Sequence, residues 1–217
     1  TLSLHDALPI CGRSTAASSI EEKGVSSMTQ AQPRFFTFEE YLSYDDGTDK
    51  RYELLNGELI ELPPESGENS SILSFLHFQL VLKMGHRRVR WGVELEVRGE
   101  PKNRYPDLTI IEFEHIQQLQ SRNTIRLSME PPLLVIEAVS PGEDNRERDY
   151  VAKRKQYQDR GIPEYWLIDR VQQTITVLEL RGEIYQELGV FSGSDQIQSS
   201  VIQELSVTAE QILEAGQ

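Results

Sequence analysis

Pro131-Pro132 and Ser140-Pro141-Gly142 bracket seven residues, Leu133-Leu134-Val135-Ile136-Glu137-Ala138-Val139, of which six are apolar. A run this short between turn-forming residues reads as a strand, and the lack of polar alternation means burial on both faces. Such a strand needs layers of structure above and below it, so the chain is expected to be a mixed α/β domain around a central sheet. The lone acid is the anomaly. Period two puts Glu137 on one face with Leu133, Val135 and Val139, while Leu134, Ile136 and Ala138 take the other. Burying an unpaired carboxylate costs several kcal/mol, so Glu137 must be protonated, paired with a basic group or bound to a cation.

The rest of the chain supplies the expected layers. Residues 1–27 mix Ser, Thr, Ala and Gly without a period, and their first ten resemble translated adapter sequence. They read as an extraneous, disordered segment before a single domain over 28–217 that starts at Met28. Thr37-Phe38-Glu39-Glu40 is a capping box opening a short helix. Residues 51–55 and 58–62 flank Asn56-Gly57, the turn that closes a tight hairpin. A helix is expected over 70–84, stopped by Gly85, then strands over 89–97 and 107–111. Residues 112–130 are polar and carry no clear period. A helix over 149–160 ends at Gly161; strands over 164–169, 174–180 and 184–188 and a short helix capped by Thr208 complete the order.

Asp107 gives Glu137 a potential companion. It follows Pro106 and opens the apolar Leu108-Thr109-Ile110-Ile111. Two carboxylates on neighbouring strands suit a hard divalent ion such as magnesium, which takes oxygen ligands and keeps several waters. On the helix over 149–160, a rotation of about 100° per residue puts Lys153 on the face of Tyr150 and Tyr157 and turns Lys155 away. An ammonium there either orients a water and neutralises a phosphate, or pairs with Glu137 as a structural ion pair. Glu53 on the hairpin is a further candidate ligand, although a carboxylate on a half-exposed hairpin is usually solvated. Glu65, in the turn before the long helix, is a lesser one. Tyr165 and Trp166 read as core aromatics, and His5, His77, His86 and His115 show no metal-ligand spacing.

The total charge argues against a polyanionic substrate, since 22 basic residues face 35 acidic ones for a net −13. The basic residues are not evenly spread. Residues 83–104 hold seven against three acids, and residues 146–160 hold six against three. Both stretches adjoin the candidate site, as a phosphate-binding face would require. Cys11 is the one cysteine, so no intramolecular disulfide forms and a reducing cytoplasm is expected. No apolar run is long enough to span a membrane.

Four blocks carry a resemblance. They are Tyr52-Glu53-Leu54-Leu55-Asn56-Gly57-Glu58-Leu59, Tyr105-Pro106-Asp107-Leu108, Leu134-Val135-Ile136-Glu137-Ala138-Val139-Ser140-Pro141, and the stretch from Lys153-Arg154-Lys155-Gln156-Tyr157 to Trp166-Leu167-Ile168-Asp169. In this order and spacing they resemble the Uma-two family of restriction-type endonucleases, within the PD-(D/E)XK nuclease superfamily. The resemblance implies a restriction-endonuclease-like core with flanking helices and an N-terminal hairpin. It also implies phosphodiester hydrolysis in DNA assisted by Mg2+ or Mn2+. Asp107 then corresponds to the acid of the PD element and Glu137 to the acid of the second element. The superfamily pattern has a lysine two residues after that acid, where this chain has Val139; the resemblance moves the amine to Lys153.

The resulting expectation is a metal-dependent endonuclease with Asp107, Glu137, Lys153 and Glu53 as catalytic residues. Asp107 and Glu137 would hold the ion, and Arg104, Arg146, Arg148 and Arg154 would contact DNA. A homodimer fits a nuclease that cuts both strands. The alternative is an inactive member that keeps the fold as a nucleic-acid-binding or protein-interaction module.

Overall fold

The structure, a computed structural model, describes residues 34–216 apart from 36 and 204. The expectation for residues 1–27 lies outside the described residues. Helix α1 (Phe38–Leu42) opens with the capping box: the Glu40 N–H donates to Thr37 Oγ1 at 3.1 Å, and the Thr37 N–H donates to Glu40 Oε2 at 3.0 Å. Strands β1 (Tyr52–Leu55) and β2 (Glu58–Glu61) form the hairpin, with Asn56 and Gly57 both at positive φ as the turn demands. Helix α2 (Gly67–Met84) starts three residues earlier than expected because Ser66 caps it.

The strand expected over 89–97 is two strands, β3 (Val89–Arg90) and β4 (Glu94–Glu96), which enter different sheets. Between them Gly92 turns at φ +61°, a left-handed conformation that glycine adopts without strain, with the Arg51 guanidinium packed close by. The chain continues through β5 (Asn103–Arg104), β6 (Leu108–Ile110), α3 (His115–Gln118), β7 (Thr124–Ile125) and β8 (Leu134–Ala138). The helix expected from 149 begins earlier, as α4 (Glu143–Glu147). It widens into a π-helical turn (Arg148–Lys153) and resumes as α5 (Arg154–Arg160), ending at Gly161 with φ +81°. Strands β9 (Glu164–Asp169), β10 (Thr174–Arg181) and β11 (Ile184–Phe191) and helix α6 (Ala209–Glu214) follow.

A six-stranded sheet runs β11-β10-β9-β8-β6-β3, with β8 and β9 parallel and the other pairs antiparallel. A three-stranded sheet, β5-β4-β7, and the β1-β2 hairpin complete this mixed α/β fold. Strand β8 is interior and buried along its whole length. Its Leu134, Ile136 and Ala138 pack with Ile72, Leu76 and Leu80 of α2 and Ile212 of α6. Its Val135, with Val139 just beyond it, packs with Tyr157, Ile162 and Tyr165 on the opposite face. The two-sided burial read from the sequence is thus present, with α2 as one cover and the 143–160 helix as the other. Burying whole aliphatic side chains on both faces, each worth about 1.5–3 kcal/mol, holds this strand in register. Tyr165 and Trp166 are fully buried core residues.

Candidate active site

Leu108 pairs with Ile136 in the antiparallel β6–β8 ladder, so positions 107 and 137 fall opposite one another where β6 begins and β8 ends. A cleft of about 500 Å3 opens there, lined by Asp107, Glu137, Glu53, Arg148 and Lys153 among others. The Asp107 carboxylate accepts a hydrogen bond from the Ala138 N–H at 2.7 Å, which ties it to the residue after Glu137. Burial, and then the charge of Glu137, push the Asp107 carboxyl well above the usual carboxylate range.

Glu137 is 2% exposed, and both of its oxygens are engaged. Lys153 Nζ donates to Oε2 at 2.7 Å, and the Tyr157 hydroxyl donates to Oε1 at 2.6 Å. Its carboxyl is raised by burial, against the pull of Lys153. Lys153 is itself buried, and burial alone would lower its ammonium. The attraction of Glu137, Asp149 and Asp107 outweighs that and leaves it raised, a charged group held in the cleft wall. Asp149 forms an ion pair with Lys153 at 3.0 Å and accepts hydrogen bonds from Arg148 at 2.9 and 3.1 Å. The π-helical turn spans both Asp149 and Lys153, and both side chains are buried. Such widened turns recur at functional sites because they reorient one face of a helix without ending it.

Glu53 corrects the expectation of a solvated hairpin acid. It is 9% exposed and paired with Arg104 Nη1 at 2.8 Å. Arg104 Nε donates to Gln156 Oε1 at 2.7 Å, and the Gln156 amide donates to the Arg98 and Pro101 carbonyls. Neighbouring Asn103 bonds both residues that flank Glu53, accepting from the Leu54 N–H at 2.8 Å and donating to the Tyr52 carbonyl at 2.9 Å. Sequence reasoning missed Asn103 and Gln156, since a polar residue in a loop or on a helix gives no sign of the distant backbone it will satisfy.

The four arginines expected to contact DNA stand in different settings. Arg104 is buried in the Glu53 pair, Arg146 pairs with Asp169 and lies over the Tyr150 ring, and Arg154 donates to the Tyr185 carbonyl. Of the four, Arg148 alone lines the cleft. Glu65 also lines it: Oε1 accepts from Asn69 Nδ2 at 2.7 Å and from the Ser66 N–H at 3.0 Å. His115 is buried and hydrogen-bonded at both ring nitrogens rather than placed near the cleft carboxylates.

Among the described residues no three His, Cys, Asp or Glu side chains gather as a metal cluster, so the candidate donors are the two carboxylates of Asp107 and Glu137. Magnesium needs no more protein than that, being held by one or two carboxylates with waters and substrate phosphate. Desolvation and the charge of Glu137 both raise Asp107, and a cation between the two carboxylates would relieve that repulsion. The residues fit such an ion.

Residues 38–210 match the family model Uma2, described as "Putative restriction endonuclease". A crystal structure titled as a "putative nuclease belonging to DUF820" from Anabaena variabilis aligns with a TM-score of 0.62 at 19% identity, over 83% of this chain and 99% of that one. That likeness shows a shared fold. No curated protein matches the chain. No helix among the described residues is long and apolar enough to cross a membrane.

Proposed function

The chain belongs to the Uma2 family of restriction-endonuclease-type proteins, and from that premise we propose that it is a divalent-metal-dependent endonuclease hydrolysing phosphodiester bonds in DNA. The observation that carries this reading is the convergence of Asp107, Glu137 and Lys153 on one cleft from three different elements. Asp107 and Glu137 would hold Mg2+ or Mn2+, which when bound supplies a Lewis acid to the scissile phosphate and a more acidic water.

The chain's own residues do the rest. Lys153 has three N–H donors; two are spent on Glu137 and Asp149, and the third has no partner among the described residues. That donor is available to a phosphate oxygen, where a fixed positive charge stabilises the charge that builds as water attacks. Tyr157 holds the second Glu137 oxygen, so the carboxylate keeps one orientation while its other partners change. The Glu137–Lys153 pair also favours the non-catalytic alternative, in which it serves the core alone, and a cleavage assay separates the two.

The test is incubation of circular single-stranded and supercoiled duplex DNA with the protein and Mg2+ or Mn2+, alongside Asp107→Ala and Lys153→Ala. Metal-dependent cleavage lost in both variants is expected. Cleavage that survives Asp107→Ala would remove the site assignment, and no cleavage of either DNA with either metal would favour the binding module. The reading carries with it a homodimer and a cytoplasmic setting.

A further inference from the structure

We infer that the cleft takes an unpaired nucleotide strand and that paired duplex is its poor substrate, an inference that rests on the phosphodiesterase reading above. Scale is the first argument. The cleft holds about 500 Å3, within the roughly 300–1,000 Å3 of pockets that enclose a single small molecule. The candidate reacting groups line that space, whose size suits one or two nucleotides in contact with them.

Charge is the second argument. A duplex carries one negative charge per about 1.7 Å of its axis, and proteins that grip it use a track of several cations. Here the expected track is thinned, because Arg104 is buried against Glu53 and Arg146 pairs with Asp169, while Arg154 donates to the Tyr185 carbonyl and keeps its charge. Arg148 and Lys153 are the cations that line the cleft, and the carboxylates Glu53, Glu61 and Glu65 line it beside them. Such a mixed lining accepts a phosphate led to Lys153 and tolerates the lower charge density of a single strand better than that of a duplex.

The wall of the cleft supplies the third. Glu53 and Ile60 are cross-strand partners in the β1–β2 hairpin, so their side chains leave the same face. Ile60, 44% exposed, thus lies next to the paired carboxylate and continues into Leu62, Pro63 and Tyr105 along the same cleft. An apolar and aromatic surface beside a phosphate-binding amine is what the flat face of an unstacked base needs, and a base inside a duplex cannot present that face.

The test uses one 20-nucleotide DNA as a single strand and as a blunt duplex. Binding is read by fluorescence anisotropy in Ca2+, cleavage in Mn2+, for the full chain and for Ile60→Asp. The expected result is at least tenfold tighter binding of the single strand, a matching preference in cleavage, and a fivefold or greater loss of single-strand affinity in Ile60→Asp with duplex affinity little changed. Equal or tighter binding of the duplex by the unaltered chain overturns the inference, and that ratio decides the matter even if Ile60→Asp does not fold. Cleavage of both forms without preference keeps the endonuclease reading and removes this one. Single-strand preference in binding without cleavage of either form does the reverse, and no binding of either form removes both.

Discussion

Lys153 Nζ lies 2.7 Å from Glu137 Oε2, joining two residues 16 positions apart on a helix and on the central strand beneath it. The position where the superfamily pattern carries its lysine is occupied by Val139, which is 2% exposed and packs into the core with Val135 and Tyr157. The amine therefore reaches the acid from above the sheet, and the strand keeps an apolar residue at 139.

On the proposed reading Asp107 serves function at a cost to stability, because Glu137 stands beside it. Asp107→Asn keeps an acceptor for the Ala138 N–H and removes the repulsion with Glu137. Metal-dependent cleavage is expected to fall at least 100-fold while Tm, read by calorimetry, stays level or rises.

Breaking the buried pair from one side strands its partner. Lys153→Met leaves Glu137 buried without its cation and is expected to cost about 3–5 kcal/mol in urea unfolding. Adding Glu137→Gln should recover much of that loss. A double variant as unstable as the sum of the two single ones would show that the residues do not act as a pair.

Arg104 and Arg148 are expected to separate structure from binding. Arg104→Met leaves Glu53 without its partner and should cost about 3 kcal/mol of stability without altering how binding to DNA depends on salt. Arg148→Ala, at the cleft, should lower the salt slope by about one. Urea titration and anisotropy at several salt concentrations read both.

His115 makes stability depend on pH in the mildly acid range. Its Nδ1 accepts from the Glu112 N–H at 3.2 Å, and its Nε2 faces the Glu130 carbonyl at 3.0 Å, the pattern of a neutral ring. Burial lowers its folded pKa below the ordinary value of about 6.5. The unfolded chain therefore binds the proton first, and stability is expected to fall as pH drops from about 6.5 through the lower folded value. His115→Gln, which does not titrate, should flatten the dependence in that window when urea unfolding is measured at pH 5 to 8.

Local chemistry by itself determined a good part of this protein. The proline-bracketed apolar run, the Asn56-Gly57 turn, the Thr37 and Thr208 caps and the glycine after Arg160 act within a few residues, and each element stands where that chemistry puts it. Glu137 stood out for the same reason, since one carboxylate in a two-sided apolar strand demands a partner. The tertiary structure alone decided who the partners are. It sealed Glu53 with Arg104 and Gln156, split the 89–97 strand at Gly92 beneath the Arg51 guanidinium, and gave Arg104, Arg146 and Arg154 their partners within the fold. A long polar side chain can reach many groups, and its sequence neighbours do not say which; only the packing that removes water from it selects the one it keeps.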